Sequence, residues 1–226
     1  MDVVSYLLGK NASGGGGGGG EWYEPNVASI PASAAKIPTA IIKEIPAITL
    51  PAGNNINLNE AFGNCQQLIS VSLFDTSRSS SMNSMFYNCR KLPTIPAFDT
   101  SNVTQMSNMF QSCSVLKSVP TLNTSKCGYF TNMFYSCPLL EDVGVFDFSA
   151  VTVSNGLNNM FSGCFSLTDN SVNNILASCI TATNYTGEKT LARLGFGNMY
   201  DYYPASRIQA LSNYQDFVAA GWSIGY

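Results

Sequence analysis

The sequence contains no histidine, and only 11% of its 226 residues are charged, against roughly 25% in ordinary soluble domains. Without His, the chain cannot form a Ser-His-Asp or Cys-His catalytic site, or any zinc site with a His ligand. The 11 basic and 14 acidic residues leave a net charge of −3 without a basic cluster, so phosphate-driven binding of nucleic acid is not expected. No apolar run approaches the roughly 18 residues that predict a transmembrane helix.

The N-terminus also lacks the pattern of a secretory signal. Asp2 follows Met1, no basic region precedes the apolar stretch, and the stretch Val3–Leu8 is short. The apolar residues instead fall at spacing i, i+1, i+4, i+5, which predicts a short amphipathic segment. The segment has no domain of its own to cover its apolar side, so we expect it to bind another protein. The candidate docking residues are therefore Val3, Val4, Leu7 and Leu8.

Seven consecutive glycines, Gly14–Gly20, follow this segment. A glycine run is typical of a flexible tether, and the alternative is a segment held in place by neighbours. We interpret residues 1–20 as a docking segment with a polyglycine linker.

What the sequence does contain is a repeat. The motif Phe-x-x-Cys recurs every 24 residues, with a last step of 27, at Phe62/Cys65, Phe86/Cys89, Phe110/Cys113, Phe134/Cys137 and Phe161/Cys164. A Leu follows each Cys by three residues, and a Met precedes all but the first Phe. A fixed period of 20–50 residues predicts stacked structural units, that is, a solenoid. The aligned Phe, Met and Leu columns predict its core.

Each unit reads as a turn, a short helix and a short strand. In residues 99–122, Met106, Met109, Phe110 and Cys113 lie at i, i+3, i+4, i+7, as on one helix face. With a degenerate first copy at 48–61, we expect about six such rungs. The predicted domains are an N-terminal cap with that degenerate rung (21–60), the solenoid (61–167) and a helical C-terminal cap (168–226).

The C-terminal cap should begin with a helix capped by Thr168 or Asp169, because apolar residues follow at helical spacing. Ser212 should cap a second helix over 213–220, with Gly221 at its C-terminal end. Residues 222–226 read as a short closing strand.

The seven cysteines all fall at core positions, where a free thiol behaves as a small apolar group. Disulfides between neighbouring rungs are the alternative, although a column of five leaves one member unpaired. No C-x-x-C pair suggests zinc, and no His is present to activate a thiol. An Asp/Asn residue begins each turn and should cap it, the alternative being a calcium ladder. No cofactor and no metal are therefore expected.

One stretch of the repeat resembles a known protein family. FDTSNVTQMSNMFQSCSVL, Phe98–Leu116, resembles the repeat of the BspA-like bacterial leucine-rich-repeat surface proteins. The resemblance implies an α/β, right-handed leucine-rich-repeat solenoid used in adhesion or recognition, without catalysis, and it transfers no binding residues. The ending GWSIGY is similar to the caps that close such arrays.

The order of docking segment, linker and recognition domain resembles virion proteins of bacteriophages that infect gut bacteria. We therefore expect a virion structural protein, a tail fibre or decoration, which needs no signal peptide and no membrane insertion. Its partners would be other virion proteins, through the N-terminal segment, and a host-surface protein or glycan, through the solenoid or its cap. The alternatives are a bacterial cell-surface adhesin and an intracellular protein-interaction module, and homo-oligomerisation is left open. An enzyme is not expected, since no acid/base pair or phosphate loop stands out.

Tyrosines are the candidate ligand contacts, because Tyr supplies a large contact area at low entropy cost. Tyr200, Tyr202 and Tyr203 cluster in the cap, and Tyr87 and Tyr135 share one variable column. The cap cluster is favoured, because it would lie at the end of the molecule opposite the docking segment. The alternative is that these rings only cover the last rung.

Overall fold

The computed structural model describes residues 42–45, 47–50 and 53–225. The candidate docking residues Val3, Val4, Leu7 and Leu8, the glycine run and part of the expected N-terminal cap lie outside these residues. The elements in chain order are β1 (Glu44–Ile45), β2 (Ile56–Asn57), β3 (Ser70–Val71), β4 (Ser79–Ser81), α1 (Asp169–Thr181), a 3-10 turn (Phe196–Asn198), α2 (Ala205–Gln209) and α3 (Tyr214–Ala219).

Successive repeat units lie against each other in parallel register. β1 pairs with β3 and β2 with β4, and single bridges continue the second pairing from Ser81 to Gln105 and on to Tyr129. The backbone N–H of each of the first four motif Phe residues donates to a carbonyl of the next unit, as from Phe86 N to Met109 O at 2.9 Å, and Phe161 N donates to Leu194 O of the C-terminal cap. Each unit therefore satisfies backbone groups of its neighbour.

In the units as described from residue 53 onward, the expected short helix is absent, and consecutive turns take its place. Asn108 and Ser112 have φ values of 58° and 62°, in the left-handed region that a right-handed helix cannot contain. Two such positions recur in every unit: Glu60, Ser84, Asn108, Asn132 and Asn159 in the first column, and Asn64, Asn88, Ser112, Ser136 and Gly163 in the second. Asn is the side chain that tolerates this conformation best after Gly.

The predicted Phe column forms a continuous stack of rings. Phe110 lies between Phe86 and Phe134, with ring centroids 5.8 and 5.4 Å apart and planes within 2° and 11° of parallel. The motif Cys residues and the Met and Leu columns around the stack are buried as well. The prediction that these columns form the core is confirmed.

Helix α1 closes the C-terminal end of the stacked units. Of the two predicted caps, Thr168 and Asp169, Thr168 caps the helix, and its hydroxyl accepts from Ser171 N at 3.2 Å. Hydroxyls along α1 then accept backbone N–H groups from the unit that precedes the last one: Val143 N donates to Ser171 Oγ at 3.0 Å, and Phe146 N donates to Ser178 Oγ at 2.8 Å. These hydroxyl oxygens take the acceptor role that the backbone carbonyl oxygens of a further unit would otherwise have.

Gly221 follows the last helix with a φ of 84°, as predicted, but two other C-terminal predictions need correction. The last helix, α3, starts after Asn213, and Ser212 does not cap it. Ser212 Oγ instead accepts from Asn173 Nδ2 of α1 at 3.0 Å, which ties the two helices together. The expected closing strand is reduced to one bridge between Thr190 and Ser223. Among the described residues, no helix has the length and apolar character needed to cross a membrane.

Candidate functional site

Tyr203, one of the three cap tyrosines proposed as ligand contacts, is fully buried. Its hydroxyl donates to Cys164 O at 3.0 Å and accepts from Leu167 N at 2.7 Å, and burial raises the pKa of Tyr203 to about 12. The Arg207 guanidinium lies 4.9 Å from its ring centroid. The assignment of Tyr203 as a ligand contact is therefore wrong, because the ring packs inward and its hydroxyl is used by the backbone.

Tyr200 and Tyr202 are exposed, at 58% and 51%. The Tyr202 ring lies against Phe165, with centroids 4.8 Å apart and planes tilted by 34°, and Phe165 is itself 40% exposed. We call these two rings the aromatic pair. Phe165 was missed by sequence reasoning, although a signal existed: it is the one aromatic in the column that otherwise holds Gln66, Arg90, Ser114 and Pro138.

Arg207 of α2 holds the backbone beside the aromatic pair. Its Nε lies 2.6 Å from Asp169 Oδ1 at the start of α1, and its Nη1 donates to Tyr202 O at 2.7 Å. The guanidinium thus joins the Tyr202 segment to α1. The charges of Arg207 and Asp169 offset each other, and Asp201, the chain neighbour of Tyr202, adds an exposed carboxylate.

The other candidate tyrosines lie on the faces of the repeat units. Tyr135 is 39% exposed and Tyr87 is partly buried. The structure adds Tyr129, 42% exposed, in the bridge column of Ser81 and Gln105. Among the described ring contacts, none joins these tyrosines to Tyr200 or Tyr202, so the cap and the unit faces are separate candidates.

Hydrogen-bonded amides cover part of the unit faces. Asn59 Oδ1 accepts from Asn83 N at 3.0 Å, and Asn83 Nδ2 donates to Gln105 Oε1 at 2.7 Å. Asn83 Oδ1 in turn accepts from Ser107 N at 2.8 Å. These contacts run from unit to unit and make a neutral polar surface with little side-chain freedom.

The column of Asp and Asn residues caps turns, as predicted. Asp99 Oδ1 accepts from Ser101 N at 2.9 Å, and Asp75 Oδ1 accepts from both Ser77 N and Ser77 Oγ. These hydrogen bonds lower the pKa of both carboxyls. Within the described part of the chain, no group of three or more Asp, Glu, Cys or His is placed to hold a metal ion.

All seven cysteines are buried and unbridged. Four motif thiols donate to the carbonyl of the preceding unit's motif Phe; the distance is 3.1 Å from Cys113 Sγ to Phe86 O, and Cys89, Cys137 and Cys164 repeat the contact. Burial raises the pKa of Cys65 and Cys137 to about 12. A protonated, buried thiol is a poor nucleophile, so the column has a structural role.

Comparison with known proteins agrees with the repeat. The model of a family described as "Mycoplasma protein of unknown function, DUF285" matches residues 56–175, more than half of the chain. The family is associated with BspA-like repeat proteins, in agreement with the resemblance found at Phe98–Leu116. No curated protein and no solved structure matches the chain.

Proposed function

We propose that this chain, which belongs to the family described as "Mycoplasma protein of unknown function, DUF285", is a non-catalytic recognition protein. In this proposal the units form one right-handed leucine-rich-repeat solenoid whose C-terminal end meets the ligand. The unit-to-unit backbone hydrogen bonds and the continuous ring stack support a rigid body of this kind.

The observation that carries the proposal is the exposure of Tyr200 and Tyr202 at the C-terminal end. Exposed aromatic rings on a rigid support are the side chains that contribute most to recognition surfaces. Tyr202 is held by Arg207 and by the Phe165 ring, so little conformational entropy is lost when a ligand binds.

The recognition function is tested by binding of the labelled full chain to intact bacterial cells. The double variant Tyr200→Ser, Tyr202→Ser should bind at least about tenfold more weakly, as expected when anchor rings are removed. Tyr129→Ser is the control, because it removes a tyrosine ring that is 42% exposed from a unit face. Equal cell binding by the wild type and the double variant would contradict a role for the C-terminal end.

We propose that this chain is part of a bacteriophage virion, as a fibre or decoration that displays the recognition domain. The support is the order of a short apolar segment, seven glycines and a recognition domain. Mass spectrometry of purified virions should detect the chain, and deletion of residues 1–20 should leave a folded domain that is no longer incorporated. Normal incorporation of the truncated chain would contradict docking through Val3, Val4, Leu7 and Leu8.

A bacterial cell-surface adhesin is the second candidate, and the family description favours it because it names proteins of a cellular bacterium. Antibody labelling of intact bacteria that encode the chain distinguishes the two carriers. Surface labelling of cells that release no phage supports the adhesin and contradicts the virion.

A further inference from the structure

We infer that the aromatic pair, Phe165 and Tyr202, is a binding platform for an uncharged carbohydrate. The inference rests on the proposed recognition function and names both the residues and the chemical class of the ligand. It replaces the original set of three cap tyrosines with one of them, Tyr202, and a Phe from the last repeat unit.

The size of the pair suits a sugar ring better than a protein. Each ring is close to half exposed, and aromatic side chains offer about 150–250 Å² each, so the pair presents on the order of 200 Å². A stable protein interface needs about 800 Å² from each partner. One or two pyranose rings, by contrast, place an apolar C–H face of matching size on an aromatic surface.

The charges around the pair disfavour an anionic ligand, because the exposed carboxylate of Asp201 lies next to Tyr202 in the chain. Arg207 is a cation that contacts the Tyr202 segment, and its Nε is paired with Asp169 Oδ1 at 2.6 Å. Its Nη1 is used by Tyr202 O. An anionic ligand would have to compete with a carboxylate for this guanidinium, whereas an uncharged sugar leaves both contacts in place.

The support under both rings is rigid, which lowers the entropic cost of binding a flexible, polar ligand. Phe165 lies between Cys164, whose thiol donates to Phe134 O at 3.1 Å, and Ser166, whose hydroxyl donates to Pro138 O at 2.8 Å. On the other side, Tyr202 N donates to Met199 O at 2.9 Å. Two different parts of the chain, the last repeat unit and the cap, are thus fixed with their rings in contact.

The test uses the full chain on an array of immobilised neutral oligosaccharides, together with binding to intact bacterial cells. Phe165→Ser and Tyr202→Ser should each weaken binding to the array by about tenfold or more, while Phe165→Tyr and the control Tyr129→Ser should bind like the wild type. Circular dichroism verifies that each variant is folded. On cells, mild periodate oxidation of surface sugars should abolish binding and protease treatment should not.

Failure of the carbohydrate inference is distinguishable from failure of the recognition function. Cell binding that resists periodate but is lost after protease treatment would overturn the carbohydrate inference. The proposed recognition function would still hold, with a protein as the ligand. Array binding that is unchanged in both Ser variants would overturn the assignment to the aromatic pair. Absence of binding to both array and cells would overturn both proposals.

Discussion

Ser79 provides the sharpest test of the repeat register, because it places a hydroxyl where other units place apolar groups. Its side chain is fully buried, and its Oγ has no hydrogen-bond partner. Val103, Cys127 and Val151 occupy the corresponding place in later units and are also fully buried. A buried hydroxyl without a partner costs about 1–3 kcal/mol.

We predict that Ser79→Ala raises the free energy of unfolding by about 1 kcal/mol, since relief of the unpaired hydroxyl exceeds the small loss of packing. Ser79→Val should raise it further, by roughly 0.8 kcal/mol for each added buried carbon, if the site has the room that later units have. Overpacking would limit this second gain.

Thr76→Val is the matched control, because Thr76 is equally buried but its hydroxyl donates to Asp99 O at 2.9 Å. Removing that hydroxyl should destabilise the protein by about 0.5–1.5 kcal/mol. The measurement is urea unfolding with linear extrapolation, comparing midpoints at unchanged slope. Destabilisation by both Ser79→Ala and Thr76→Val would refute the reasoning, because it would mean that the Ser79 hydroxyl has a partner.

Four further predictions follow from the same structure. Phe110→Ala should cost about 3–5 kcal/mol in urea unfolding, whereas Gln111→Ala should be near neutral; equal effects would contradict the register. Thiol titration of denatured, non-reduced protein should find all seven cysteines free, and five or fewer would reveal a bridge. Asp75 and Asp99 have lowered pKa values, so the stability they contribute is present above the ordinary value of 3.8 and is lost as the pH falls through the folded-state values; Asp99→Asn should keep the turn cap and reduce this acid sensitivity, and an unchanged pH profile would contradict it. Ser178→Ala should cost about 1–3 kcal/mol, because Phe146 N loses its acceptor, and a neutral effect would show that α1 does not close the stack as described.

Periodicity predicted the buried columns and the first helix of the C-terminal segment, because burial follows directly from which residues recur. Periodicity misassigned the conformation of the segment around Met106–Cys113, and of its counterparts in the other units, as a short helix. The spacing of Met106, Met109 and Phe110 fits a helix face, but it fits a run of turns equally well. The distinguishing signal was the polar residue at Asn108 and Ser112, positions where the backbone adopts positive φ.

The tyrosine assignment failed for a different reason. Tyr202 and Tyr203 are neighbours in sequence, and one is exposed while the other is buried. The two residues differ in their hydrogen-bond partners. The Tyr203 hydroxyl donates to Cys164 O and accepts from Leu167 N. These partners lie nearly 40 residues away in the chain, so the sequence around Tyr203 does not predict them.

The hydroxyls of α1 have a consequence for how arrays of this kind change length. A stack of parallel segments presents unpaired backbone groups at its last edge, and such edges recruit further chains and aggregate. Here Ser171, Ser178 and Thr181 pair three backbone N–H groups of that edge with side-chain hydroxyls. Because these contacts involve only Val143, Phe146 and Phe148, near the C-terminal end of the stack, duplication or deletion of a unit before them would leave the contacts intact. We expect genes for such chains to gain or lose whole units in frame without creating a polymerising edge.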